Sequence, residues 1–420
     1  MITIIGFLTL FLSKYRTVKR VGPLAERTIQ VFVHLAYGFG GESWNRQWKE
    51  GKIFGINEPF PYGYYRADQM GCSVSYSQDL PESGLAKLLR LGMRGLLGFD
   101  LVHAWRNFEA MRRADVIWTH TESQFLSILV LFRLNPRAPR PKLIAQSIWL
   151  FDRWRHFSHA RRWLLSKLIR RADILTVHSP ENLSVAKRLF PGAPSELVLF
   201  GIAADTKNVP TLRLPKRVLN IISLGNDVHR DWRLLADAVS GQQDWLLKIA
   251  SRTIDPSILV NAVNIETVTP RANDELLALY EWADLLVLAL KPNLHASGAT
   301  VIQEAALLGV PVVCSDCGGL RAYFSDSEVR FVPPQNAAAL REAIQDLADR
   351  PDLRLAMAQK AQDRMGPHGL SSESFVRRHV EISRDLLSSS TPSPNFNPQK
   401  AGAKQLFDSS KKGGISQKYP

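Results

Sequence analysis

Short apolar runs alternate with longer amphipathic stretches along most of the chain. Thr28–Tyr37 is rich in β-branched and aromatic residues and runs into Gly38, Gly40 and Gly41. Ala114–His120, Lys142–Leu150, Ala172–Ser179 and Glu196–Asp205 are further strand-like runs, with helical patterns between them. Strands separated by helices predict a parallel sheet covered on both faces. A polar, proline-containing stretch, Asp205–Arg217, then reads as a linker. Beyond it the alternation restarts: Val218–Gly225, Trp245–Ser251, Val263–Thr269, Ala283–Leu290, Val310–Asp316 and Val329–Pro334 predict strands, and Asn273–Trp282 and Ala337–Arg350 predict helices. Two consecutive α/β domains follow from this order. The expected segments are an apolar and basic extension over 1–26, a Rossmann-like domain over 27–210, a second over 211–370, an amphipathic helix over 371–388, and a tail over 389–420. The tail is poor in apolar residues and rich in Ser, Pro, Lys and Gly, a composition that predicts disorder. Ligands of open parallel sheets bind beyond the carboxyl ends of the strands, so the cleft between the domains is the expected site.

Composition supports this reading and adds a partner. With 420 residues, 45% of them hydrophobic, the chain can fill two ordinary cores. The net charge of +14 is lopsided: residues 1–200 hold 28 Lys+Arg against 15 Asp+Glu, a surplus of 13, and the remainder holds 25 against 24. A basic first half predicts an anionic partner. Gly84–Arg113 and Arg153–Arg171 interleave Lys and Arg with Leu, Met, Phe and Trp, the pattern of helices lying on an anionic membrane surface or packed on the sheet. Neither stretch carries a nucleic-acid-binding module, so nucleic acid is not expected. The apolar run Ile2–Leu12 is shorter than the roughly 20 residues of a membrane-spanning helix, and its basic residues follow rather than precede it. It reads as a shallow anchor or as an extension upstream of the first strand. Cys314 and Cys317 form a lone C-x-x-C, too few ligands for a four-cysteine zinc site, and Cys314 ends an apolar strand as a small core residue. With Cys72 they give no disulfide framework, which fits a reducing compartment.

The chemistry concentrates in "NLHASGATVIQEAALLGVPVVCSD", Asn293 to Asp316. A strand delivers the chain to the top of a sheet, small residues turn it, and a helix starts near Gly298–Thr300. The first turn of that helix offers unpaired N–H groups and a positive dipole end, and Ala296, Ser297, Gly298, Ala299 and Thr300 let a diphosphate approach the backbone. Glu304 lies one turn inside, within reach of the ribose hydroxyls of a nucleotide.

The succession "SLGNDVHRDWRLLADAV", "ANDELLALYEWADLLVLAL", "SGATVIQEAALLGVPVV" and "FVPPQNAAALREAI" resembles the C-terminal domain of the retaining family 4 glycosyltransferases of the GT-B fold. "ADILTVHSPENLSVAKRLFPG" with "ELVLFGIAAD" resembles the end of that family's N-terminal domain. The resemblance covers residues 110–385. It implies an α/β GT-B chain, two Rossmann-like domains whose parallel sheets face an interdomain cleft, and a nucleotide-sugar donor. The family's ribose-binding glutamate corresponds to Glu304. Its sugar-contacting glutamate falls on Ala296, a departure that leaves His295 or Ser297 to take over. The arginine of its diphosphate loop falls on Asn226, a second departure, while the lysine of that loop is matched by Arg230, after Gly225. Its glycine-rich loop corresponds to Tyr37–Trp44, with Gly40 and Gly41. Its later histidine, near the transferred sugar, falls on Ser147 in "AQSIWLFD", with His120 as the alternative.

The reaction so implied moves a sugar from a nucleotide diphosphate to a hydroxyl. Arg230 and the helix start before Glu304 would stabilise the leaving diphosphate. No Asp-x-Asp cluster stands at a strand end, so neither a metal nor another cofactor is expected. The basic first half points to a glycolipid or lipid-linked glycan acceptor, and to a cytoplasmic protein peripheral on the membrane's inner face. Two other readings stay open: a sugar-nucleotide epimerase of the same architecture, and a nucleotide-sugar binding protein without turnover, which the residues at Ala296 and Asn226 would fit.

Overall fold

The computed structural model describes residues 27–212, 218–259 and 262–389. The expected extension over 1–26 and the tail from 390 onward lie outside the described residues, as does the end of the expected linker. The first domain is a six-stranded parallel sheet: β1 (Ile29–His34), β2 (Cys72–Tyr76), β3 (Val116–Thr119), β4 (Lys142–Ser147), β5 (Ile174–Val177) and β6 (Ser195–Leu197), in spatial order β2-β1-β3-β4-β5-β6. The second is built likewise from β7 (Leu219–Leu224), β8 (Trp245–Ala250), β9 (Ile265–Val268), β10 (Leu285–Leu288), β11 (Val312–Ser315) and β12 (Arg330–Val332), in order β12-β11-β10-β7-β8-β9. The central strands are buried on both faces, which is why they read as unbroken apolar runs.

In the second sheet the chain order reverses between β7 and β10, which pair in parallel through Leu285–Ile221 and Leu286–Ile222. The loops leaving these two strands therefore diverge and open a crevice, the place where doubly wound sheets take ligands. The same reversal in the first domain lies between β1 and β3.

Two elements differ from the sequence pattern, each for a physical reason. β2 is a five-residue edge strand in which Cys72, Val74 and Tyr76 alternate with exposed Ser73 and Ser75, a run too short and too polar to stand out beside the buried strands. β6 stops at Leu197, well short of the apolar run that ends at Asp205, because the chain leaves the sheet and crosses to the second domain. There Phe200 N–H donates to the Tyr323 hydroxyl at 3.2 Å, and Ile202 N–H donates to the Gln303 side chain at 3.1 Å. The helix Ser372–Ser388 returns to the first domain: Phe375, Val376 and Val380 join the core under β1, and the Trp118 indole donates to Ser383 Oγ at 2.9 Å. The two domains are thus pinned by two crossings of the chain.

Candidate active site

Two loops at the β7/β10 reversal make the floor of the site. Gly225, at φ +123°, ends β7, and the chain turns back through Asp227, His229 and Arg230. This loop is held against the segment after β10 by an antiparallel bridge between Arg230 and Leu290 and by Lys291 N–H donating to His229 O at 2.8 Å. The Arg230 guanidinium is buried beneath the turn. Its Nε donates to Leu224 O at 2.8 Å and its Nη1 to Ser297 Oγ at 2.9 Å, so one side chain ties both loops together. A Cβ on Gly225 would stand 2.6 Å from Nη2, which explains the glycine. Burial lowers the pKa of Arg230, against the pull of Asp227.

The second loop runs through Asn293–Gly298. Asn293 Oδ1 accepts from Ser297 N–H at 3.1 Å, Ala296 takes φ +54° and Gly298 φ +92°, and the helix Ala299–Leu307 begins. The expected diphosphate-facing residues Ser297, Gly298, Ala299 and Thr300 are therefore assembled at this helix start, beside Arg230.

Glu304 sits one turn further on, buried, with Oε2 accepting from the Tyr280 hydroxyl at 2.6 Å. Its other oxygen faces the first domain: Ile56 N–H donates to Oε1 at 3.3 Å. Gly55, at φ +88°, lies directly on the carboxylate, where a Cβ would stand 1.9 Å from Oε1. Asn273 fixes this segment by accepting from Gly55 N–H at 2.7 Å and donating to Gly55 O at 3.2 Å. Burial raises the pKa of Glu304 to about 7, even though both hydrogen bonds favour the ionised form.

His295 lies between two carboxylates. Its Nδ1 is 2.9 Å from Asp152 Oδ2, in the first domain, and its Nε2 is 2.8 Å from Asp227 Oδ2. Asp152 also accepts from Leu294 N–H at 2.9 Å, while Asp227 Oδ1 accepts from His229 N–H at 2.8 Å and lies 3.0 Å from His229 Nδ1. Burial alone would lower the pKa of His295, but the bonds to Asp152 and Asp227 prevail and raise it to about 9. Burial opposes ionisation of the two aspartates, and the bonds from His295 overcome it, so both carboxyls titrate below their ordinary range. Asp227, His229 and His295 place one ligand atom each within 4.8 Å of one another, a group able to hold a metal ion.

The remaining sequence candidates stand apart. The N–H groups of Gly38 and Gly40 hold the Asp79 carboxylate at 2.9 and 3.0 Å, and Gly41 opens the helix Gly41–Lys49, so the glycine-rich loop is closed on an internal anion. His120 is buried, stacked on Tyr62 at 3.6 Å between ring centroids and bonded to Tyr64. Burial, with His178 and His379 nearby, depresses its pKa well below the ordinary value. Ser147 is fully buried at the end of β4. The structure brings neither into the cluster around His295. Asp152, Asp227, His229, Tyr280 and the Gly55–Ile56 segment were not anticipated. The one local signal was Asp227-x-His229; Tyr280 meets Glu304 by packing within the second domain, and Asp152 and Gly55–Ile56 depend on contacts across the cleft.

The comparisons with known proteins fit this geometry. Residues 261–364 match the family model of glycosyl transferases group 1. A D-inositol 3-phosphate glycosyltransferase of Corynebacterium urealyticum is 30% identical over 123 residues, 29% of this chain and 28% of that protein. The alignment thus spans little more than a quarter of that relative's length. A sucrose-phosphate synthase from Thermosynechococcus elongatus superposes with a TM-score of 0.64 at 16% identity, over 86% of this chain and 100% of the other. The Anabaena HepE protein, solved in complex with UDP-glucose, superposes with a TM-score of 0.60 at 13% identity, over 86% of this chain and 99% of that one. The fold is therefore GT-B.

Proposed function

We propose, on the premise that this chain carries a group 1 glycosyltransferase domain in a GT-B frame, that it is a retaining glycosyltransferase taking its sugar from a nucleotide diphosphate. The observation that carries this is the position of Glu304: a buried carboxylate one turn inside a helix that starts at the β7/β10 reversal, with one oxygen turned to the cleft. A carboxylate so placed accepts from vicinal ribose hydroxyls while the diphosphate meets the helix start. Ile56 N–H and the ribose hydroxyls compete for the same oxygen, so donor binding swings the Gly51–Asn57 segment off Glu304. HepE, solved with UDP-glucose, supports a nucleotide-sugar donor.

The reaction develops negative charge on the leaving diphosphate and positive charge on the sugar carbon. The helix start stabilises the first, together with Arg230, whose guanidinium lies beneath it. His295 stands on the turn where the sugar-contacting glutamate is replaced by Ala296, and Asp152 and Asp227, one on each ring nitrogen, fix that turn beside the place of the transferred sugar.

The acceptor is a membrane-borne glycolipid or lipid-linked glycan. Helix Gly84–Leu97 supports this. Its one buried side chain is Arg90, clamped by Glu82 and Asp100, while Leu85, Leu88 and Leu96 are 78, 69 and 82% exposed. Trp163 and Leu164 are exposed on a second basic helix, His159–Ile169, whose Leu165, Leu168 and Ile169 pack into the core. Leucines held in water beside Lys87 and Arg94 suit an anionic lipid surface. Among the described residues no helix is long and apolar enough to cross a membrane. We infer a protein peripheral on the cytoplasmic face, acting in envelope polysaccharide or glycolipid synthesis, and the exposed leucines beside Lys87 and Arg94 support this. The test is titration of nucleoside diphosphates into the protein and its Glu304→Ala variant; equal affinity would refute the placement of the ribose.

A further inference from the structure

We propose that Asp227, His229 and His295 bind a divalent first-row transition ion at the mouth of the donor site. The ligand atoms come from the two loops that diverge at the β7/β10 reversal, and they already face one another. Asp227 Oδ2 is 2.8 Å from His295 Nε2, Asp227 Oδ1 is 3.0 Å from His229 Nδ1, and all lie within 4.8 Å. Neighbouring ligands of a tetrahedral ion with bonds of about 2.0 Å stand about 3.3 Å apart, so small side-chain rotations close the sphere.

The surroundings are those of a metal-binding histidine. Asp152 lies 2.9 Å from Nδ1 of His295, the far ring nitrogen, and so fixes the tautomer that presents Nε2 to an ion. Asp152 is itself held by Leu294 N–H, Asp227 by His229 N–H, and His229 by Lys291 N–H. The ligands are thus positioned before any ion arrives.

Charge gives the reason. Asp152 and Asp227 bring two carboxylates to His295, beside the helix start to which the donor reading assigns the diphosphate. A diphosphate brought there meets like charge. A divalent ion held there offsets the two carboxylate charges. Three protein ligands leave a fourth position for water or a diphosphate oxygen. Two imidazoles and a carboxylate suit zinc and similar nitrogen-binding ions and disfavour magnesium. This role for the ion rests on the donor reading above; the ligand set does not.

The test uses the full chain, stripped with a chelator and titrated with Co2+ and Zn2+ against a chromophoric competitor. One ion per chain is expected, with visible Co2+ absorption bands. Asp227→Asn and His229→Ala should abolish binding, and Asp152→Asn should weaken it about 10- to 100-fold. Millimolar Mg2+ should not displace Co2+. Thermal melts of the stripped variants establish that each is folded. Absence of stoichiometric binding by the stripped protein, or binding unchanged in folded His229→Ala, would overturn the proposal. Nucleoside diphosphate binding to the stripped protein is titrated separately, so failure of the donor reading would show there and leave the metal result standing.

Discussion

The backbone N–H of Ile56 reaches across the cleft to Glu304, 248 residues away, and donates to its carboxylate at 3.3 Å. The first domain thus occupies the carboxylate oxygen that the proposed donor site would offer to a nucleotide.

This relationship predicts the behaviour of Gly55. A Cβ there would stand 1.9 Å from Glu304 Oε1, on a backbone with φ +88° that L-residues avoid. Gly55→Ala should force the segment off the carboxylate and remove a competitor of the ribose. Nucleoside diphosphate affinity by calorimetry is expected to rise a few fold, while the melting temperature of the free protein falls. A fall in affinity would show that the segment assists the donor instead.

Glu304 should also make stability depend on pH. Its carboxyl is raised from 4.5 to about 7 by burial. The folded state holds the proton more tightly than the unfolded one, so stability is greatest below pH 4.5 and declines as pH rises to about 7. The decline attributable to this group is about 3 kcal/mol, from about 1.4 kcal/mol per unit. Glu304→Gln should lose that decline and melt above the parent protein at pH 8, yet bind nucleotide more weakly. Parallel pH–stability curves for the two proteins would contradict the assignment.

Arg230→Lys is not a conservative change at this site. Lysine has no fork to join Leu224 O to Ser297 Oγ, so the two loops lose their shared tie. Donor affinity should fall at least tenfold, with stability lower by about 2 kcal/mol. An affinity within a factor of two of the parent protein would remove Arg230 from the donor site.

Much of the frame was legible in the chain. The apolar runs at β10 and β11 and the helix between them could be read because both strands are buried on two faces and Gly298 and Gly309 bracket the helix. Glu304 was legible as a carboxylate in an apolar helix. The partners were not. Asp152 and His295 are 143 residues apart, and nothing local to "SIWLFD" announces that its aspartate crosses the cleft. Gly40 and Gly41 looked available for a phosphate because the anion that fills their turn, Asp79, lies beyond β2. His120 and Ser147 stand near strand ends, but His120 is covered by Tyr62, Tyr64 and Phe200, and Ser147 is fully buried.

The exposed leucines of helix Gly84–Leu97 predict lipid binding that ordinary surface residues would not give. Replacing Leu85, Leu88 and Leu96 by serine should leave the melting temperature unchanged, since none of the three is buried. At about 2 kcal/mol for each leucine fully withdrawn from water, partial insertion of three predicts at least a tenfold loss of binding to anionic vesicles in flotation. Unchanged flotation, or equal binding of the parent protein to neutral vesicles, would contradict a membrane role for this face.

The reaction proposed at Glu304 is transfer from a nucleotide sugar. Its most direct test is acceptor-dependent release of nucleoside diphosphate. The purified protein is supplied with each common nucleotide sugar, with and without a membrane glycolipid extract, and compared with Glu304→Ala. Release with one donor, stimulated by the extract and lost in the variant, is the predicted result. No release with any donor, or release indifferent to Glu304, would contradict the account.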